Sequence, residues 1–415
     1  MGIRYDPAEE LNEAHFRGVR CLFMDLHLVD GQAGSDEQRH YGVIAAILEK
    51  NINPRGGPFI LVVWTEHPHL SVELKNYLDV RLDVDKPHVR PLAVISLAKE
   101  KFINVDDGTV SDPPELQRAV QAAIASNPQL AALLGWETDV LEAAANTLAS
   151  LLSLVPSTQR SSETFPAELD IVLSRLARAT VGGNNVTGNP RAAITTALAP
   201  ILIDRVLNQG VTEDVQEVWA KAVTRHAEPK LSPVTGLESG AINRMLHLAF
   251  QGVEALRPTD WGAVLEWPYP WTDEEMLRQT GLTKEAMVCE EFRFPQNAIS
   301  NVKPILVRIG AACDYAQDNG GLIPLLFGFI IMESQKRDKG VKPSAAIWQS
   351  PEFLMPDAEA PSRLHIHFRF PQNHLAAKIT SWTAIYRLRE QLLMHLISSA
   401  STYASRPGIV ELRAT

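Results

Sequence analysis

Three short apolar runs near the start of this chain each end on a polar residue of a different kind: CLFMD on Asp25, FILVVWT on Thr65 and PLAVISLAK on Lys99. Continuous apolar runs of this length, bounded by turn residues, suit strands buried on both faces, as in a parallel sheet covered by helices. Open α/β sheets gather their chemistry outside the carboxyl ends of their strands. A carboxylate, a hydroxyl and an ammonium would then meet at one edge.

The surroundings support this reading. The segment LHLVDGQAGSDEQRHYG leads into YGVIAAILEK, where Val43, Ile44, Ile47 and Leu48 share one helical face. PPELQRAVQAAIA supplies a closing helix with Pro114 in its first turn. The order Asp25, Thr65, then Lys99 or Lys101 followed by Phe102, resembles the phosphoacceptor site of response-regulator receivers, and more closely the divergent bacterial "response receiver" family. Trp136-Glu137, opening a long helical stretch, and Cys313-Asp314, expected to close a strand, are similar to pairs of that family. The resemblance implies a bacterial signalling protein in a stress or phage-defence pathway, with a protein partner such as a histidine-kinase-like ATPase.

The chain also departs from the receiver pattern. Asp25 to Thr65 spans 40 positions and Thr65 to Lys99 spans 34, which implies inserted loops. A receiver holds Mg²⁺ with an acidic pair on its first strand, because a hard cation must neutralise the phosphoryl oxygens. Only 24 residues precede Asp25, and MGIRYDPAEELNEAHFRGVR at their start contains no apolar run that could be that strand. Asp6, Glu9 and Glu10 flank a proline and are poor substitutes. Either the domain lacks its first strand in this sequence or the site is degenerate; Mg²⁺ is expected only if acidic ligands lie upstream.

Composition narrows the function classes. The 415 residues carry 45% apolar and 21% charged side chains, as in an ordinary globular protein. No long uncharged apolar stretch argues for a membrane span. Cys21, Cys289 and Cys313 lack C-x-x-C spacing, so a cytoplasmic location is expected and a disulfide framework is not. A net charge of −10 makes a general nucleic-acid binder unexpected.

Residues 1–126 are expected to form the receiver-like α/β domain, 127–257 a helical connector and 258–415 an α+β domain. The fold class is thus multidomain α/β plus α+β. In the connector, Val140, Leu141, Ala144, Leu148, Leu151 and Leu152 keep helical spacing, as do Ile242, Met245, Leu246, Ala249 and Phe250; VGGNNVTGNP and PKLSPVTG interrupt the helices. The last part opens with a capping box, Thr272 with Glu275. Strand-like KPILVRIGAAC, LIPLLFGFII and RLHIHFRF follow, and SWTAIYRLREQLLMHLISSAS reads as a helix. A small, mostly antiparallel sheet with helices at its edge is expected.

Strict alternation in RLHIHFRF puts Leu364, Ile366, Phe368 and Phe370 on a core face and Arg363, His365, His367 and Arg369 on a solvated one. Two histidines so spaced would bind zinc only if Cys313 or Asp314 converged on them. The main expectation is a non-enzymatic signalling protein acting through protein contacts. One rival is an enzyme or metal protein centred on Cys313, Asp314, His365 and His367. The other is a nucleic-acid effector using the Arg363–Arg369 face.

Overall fold

The structure is a computed structural model that describes residues 16, 18–26, 37–54, 56–65, 67, 69–104, 109–227, 234–251, 256–317, 321–332 and 342–406. In chain order the α/β part holds β1 (Cys21–Asp25), α1 (Glu37–Asn51), β2 (Ile60–Trp64), α2 (His69–Arg81), β3 (Ala93–Leu97), α3 (Lys99–Phe102) and α4 (Pro113–Ala125). The helices α5 (Pro128–Ser153), α6 (Phe165–Val181), α7 (Gly183–Val186), α8 (Pro190–Leu207), α9 (Glu213–Ala222) and α10 (Gly236–His247) follow. The remainder holds β4 (Leu248–Ala249), β5 (Ala263–Glu266), α11 (Asp273–Thr280), β6 (Lys303–Arg308), α12 (Ala312–Gln317), β7 (Leu322–Met332), β8 (Ile347–Gln349), β9 (Ser362–Leu375), α13 (Ala376–Ile379), β10 (Ala384–Leu388) and α14 (Glu390–Ala404).

Two compact units result, one of residues 1–151 with 201–231 and one of 152–200 with 232–415. The helices of 127–257 are thus shared between the units instead of forming the separate connector expected from sequence.

In the first unit β1, β2 and β3 pair in that order, both pairs parallel. Leu61 and Val63 turn to a core with Ile44, Leu48, Leu74 and Leu78 of α1 and α2, while Ile60 and Val62 meet Leu130 of α5 and Val120 and Ile124 of α4. Both faces of β2 are therefore dry, and its unbroken apolar run follows. The expectation that all three strands are doubly buried is corrected: β1 and β3 are only partly covered, and Phe23 on β1 stays 39% exposed. A three-stranded sheet has one interior strand. Asp112 caps α4 through Glu115 N at 2.9 Å, with Pro113 and Pro114 opening the helix.

The α5 and α10 stripes also need correction. Leu141, Leu148 and Leu152 are exposed; Leu151 of the predicted stripe is buried, together with Ala143 and Thr147. Helix α10 stops at His247 because Leu248 and Ala249 extend to pair with β10, and Ile242, Met245 and Leu246 face outward. Its reciprocal capping box, Thr235 with Glu238, escaped the sequence reading. At α11 only half of the expected box forms: Thr272 Oγ1 accepts from Glu275 N, but the Glu275 carboxylate turns to Arg278 and Gln279.

The second unit is built on an antiparallel seven-stranded sheet, ordered β4-β10-β5-β6-β7-β9-β8. Helices cover its face instead of lying at its edge: Leu392, Leu393 and Leu396 of α14 meet Val264, Val307, Ile366 and Tyr386. On the other face Trp267, Met276, Phe292, Phe294, Phe327 and Phe329 form an aromatic core. The predicted terminal helix begins only at Glu390, because Ala384–Leu388 pairs with β5 and β4 and buries Tyr386 and Leu388.

The alternation predicted for RLHIHFRF fails in its burial. His365 and His367 are buried, and both histidine rings meet phenylalanines edge-on: Phe294 at 5.0 Å and Phe292 at 5.2 Å between centroids. A register shift between Leu326 and Gly328 interrupts the β7–β9 ladder, so Phe368 joins one face's core and Phe370 the other's. Both are only partly buried.

Gly328 stands where the two strands approach most closely, since a Cβ there would lie 2.4 Å from His365 O and 2.5 Å from Ile366 Cδ1. Gly328→Ala should lower the unfolding free energy by about 1–3 kcal/mol or more through overpacking. Gly135→Ala, on α5 with nothing within 4 Å of the new methyl, should raise it by roughly 0.5–1 kcal/mol. Urea unfolding of the two variants checks the contrast, and equal effects would disprove the close approach.

Burial, and secondarily the Arg369 charge, push His367 down to about 4 from its ordinary 6.5. Its Nδ1 accepts from Arg369 N at 3.2 Å, whereas Nε2 lies 3.1 Å from Glu291 Oε2 at an angle outside hydrogen bonding. The unfolded chain takes up this proton first as pH falls, so the stabilising contribution is complete above about pH 6.5 and fades toward pH 4. The loss should reach about 3 kcal/mol, and His367→Gln should flatten that part of the stability–pH curve measured in urea. An unchanged curve would assign the effect to other groups.

Candidate functional site

The parallel register decides what meets at the carboxyl edge. Asp25 pairs with Trp64 and Trp64 with Leu97, so the three strands end level. Thr65 N then donates to Leu97 O at 3.1 Å and Leu26 N to Trp64 O at 3.3 Å, holding the exits side by side. Lys99, in the first turn of α3, returns over this edge and its Nζ donates to Asp25 Oδ2 at 2.8 Å. The ion pair is half open to solvent, with Asp25 37% and Lys99 45% exposed. Thr65 is buried, and its Oγ1 accepts from His67 N at 3.1 Å. Asp25, Thr65 and Lys99 thus share one edge.

Lys101 does not join them. Its ammonium lies 3.3 Å from Glu115 of α4 and 5.2 Å from the Phe102 ring centroid, turned from Asp25 by its position in α3. Phe102 itself is buried and reaches Trp64, which stacks on Phe23 at 5.3 Å.

Among the described residues, no group of three His, Cys, Asp or Glu side chains able to hold a metal is present. Asp6, Glu9 and Glu10 lie outside the described residues.

Glu137, singled out within the Trp-Glu pair, has a concrete role. The Arg20 fork, just before β1, donates Nε to Glu137 Oε2 at 2.6 Å, Nη2 to Oε1, and Nη1 to Gly56 O. This holds α5 on the sheet and keeps Glu137 well below the usual carboxylate range, chiefly through that hydrogen bond. Arg20 was missed because nothing in its local sequence marks a partner 117 positions away.

The expected terminal constellation does not assemble. Cys313 and Asp314 lie in α12 instead of closing a strand, since β6 ends at Arg308; the Cys313 side chain lies outside the described residues. Asp314 lines a recess with Ile323, whereas His365 pairs with Phe329. Six residues of β7 separate those positions, about 20 Å of strand. The solvated basic face is likewise absent: Arg363 pairs with Glu352 and Arg369 with Glu291, while both histidines are buried. Burial pushes the Cys21 thiol up to about 11 and also raises Cys289, opposite to what a nucleophile needs.

Compared with family models, curated proteins and solved structures, the chain matches none. No helix among the described residues is long and apolar enough to cross a membrane.

The two ion pairs should separate in stability. Lys99→Ala removes a solvent-reachable contact and should change the unfolding free energy by less than about 1 kcal/mol. Arg20→Ala removes a bidentate, partly buried fork and should cost about 1–3 kcal/mol. Urea denaturation of both variants checks this, and a larger loss for Lys99→Ala would make that pair a structural pin.

Proposed function

We propose that the chain is a non-catalytic regulatory protein whose first unit carries a degenerate receiver-like domain and acts through contacts with a protein partner. The observation that carries this is the 2.8 Å Lys99–Asp25 pair beside Thr65 at the carboxyl edge of a parallel sheet. In a receiver this trio would hold the phosphoacceptor, its charge partner and the hydroxyl that follows the phosphoryl group. Here the lysine meets the aspartate directly, and no group of three His, Cys, Asp or Glu side chains able to hold a metal and supply its charge compensation stands among the described residues. Phosphoryl transfer onto a carboxylate without that charge compensation meets strong repulsion. The site then works as a fixed structural relic and the surface provides the output.

Large apolar side chains support a contact role. Leu141 and Leu148, seven apart and so on one face of α5, are 65% and 54% exposed, and exposed apolar faces of this kind mark interaction sites. A cytoplasmic setting in a bacterial stress or phage-defence pathway, with a histidine-kinase-like ATPase as partner, rests on the family resemblance alone.

Incubation with acetyl phosphate and Mg²⁺ tests the degenerate site. The intact mass should stay unchanged. A phosphoryl adduct that vanishes in Asp25→Asn would overturn the reading and restore a working receiver.

A further inference from the structure

The sheet of the first unit ends in an open edge at β1. Among the described residues β1 pairs with β2 alone. Arg20 O accepts from Ile60 N at 3.0 Å and Leu26 N donates to Trp64 O at 3.3 Å, so the even-numbered residues of this stretch turn their backbone groups to β2. Backbone groups alternate in direction along a strand, and those of Cys21 and Phe23 therefore point away from the sheet. Such a row of donors and acceptors is a template for another strand, which natural edges blunt with charge or proline. Neither guards the Cys21–Met24 stretch of β1.

The same two residues line an apolar groove. Their side chains lie on the face that α4 covers and, with Val110, Leu116, Gln117 and Val120, bound a recess of about 480 Å³ that no charged side chain lines. Helix α4 buries none of its own residues, and Val120 and Ile124 pack only in part against Ile60 and Val62. The helix thus lies over a sheet one strand too narrow for it. Phe23, 39% exposed, already stacks on Trp64 of β2 at 5.3 Å.

These features select the occupant. The groove calls for an extended, uncharged strand with a large apolar side chain on the α4 face, and β1 is itself such a strand. Two β1 strands related by a two-fold axis at Phe23 pair antiparallel, because the outward groups of Phe23 meet their like in the second copy and exchange both bonds. The two Phe23 side chains then share one face with Cα atoms about 5.5 Å apart. Each enters the other's groove, and an aromatic row runs Trp64, Phe23, Phe23, Trp64 across the join. Charge permits this pairing. Cys21 falls opposite Asp25 of the second copy, whose carboxylate Lys99 holds at 2.8 Å, and the two Asp25 side chains stand about 14 Å apart along the strands.

We infer that the chain forms a two-fold dimer in which the β1 edges pair antiparallel about Phe23, joining two three-stranded sheets into one. The pairing closes on itself and leaves no open edge at β1. It is independent of the receiver-like reading, which concerns the chemistry at the strand ends.

The test is sedimentation equilibrium of the full chain over a range of concentrations, with amide hydrogen exchange followed in parallel. Twice the chain mass is expected, and the Phe23 amide should exchange about tenfold or more slowly in the dimer than in the diluted monomer. Phe23→Lys sets two ammonium groups against each other at the axis and should give a monomer with unchanged far-UV circular dichroism. Phe23→Tyr keeps the ring and should remain a dimer. A wild-type chain that stays monomeric overturns the second copy as occupant, whether or not a foreign peptide protects the Phe23 amide. A dimer whose Phe23 amide exchanges as fast as the monomer's, or one that survives Phe23→Lys, overturns the β1 edge as the interface. Open-ended assemblies would mean that β1 meets β3 of the next copy, and would overturn the two-fold pairing.

Discussion

The two-sided burial of β2 is the constraint on which the first unit depends. Ile60, Leu61, Val62 and Val63 are fully buried, alternately against α1 and α2 and against α4 and α5. Each such side chain contributes about 1.5–3 kcal/mol on leaving water, so a strand with two dry faces cannot slip by one residue without exposing or inverting all of them. That locked register sets Asp25 level with Trp64 and Leu97. The edge chemistry is a consequence: Lys99 needs only one turn of α3 to return to Asp25.

The second unit solves a different problem. Both faces of its antiparallel sheet carry an apolar core, so the Leu364–His367 stretch of β9 is buried in both directions although its sequence alternates basic and apolar residues. Histidine makes this possible because its neutral ring tolerates an aromatic environment, at the expense of a depressed pKa. The arginines that bracket the pair escape burial by meeting Glu352 and Glu291. Gly328 lets β7 and β9 come close enough for this arrangement.

Charge is handled alike in both units, by small clusters that join distant segments. Arg20 ties the approach to β1 to Glu137 on α5, and Asp260 gathers Arg257 and Tyr315. The first leaves no excess charge. The second seats Arg257 and Tyr315 on one buried carboxylate and joins the approach to β5 to α12.

The sequence by itself determined the strands β1 to β3, the helices α1, α4 and α5, and the edge shared by Asp25, Thr65 and Lys99. Those features follow from local apolar runs, helical spacing and the rule that parallel strands end on one side. Only the tertiary structure decided which faces are dry. It buried His365 and His367, turned Leu141 and Leu148 outward, made strands of Leu248–Ala249 and Ala384–Leu388, and kept Asp314 away from the histidines. Alternation records that a strand has two faces, but coverage of the second face comes from elements far along the chain, here the Phe292–Phe294 segment and α14. A local pattern contains no information about such partners.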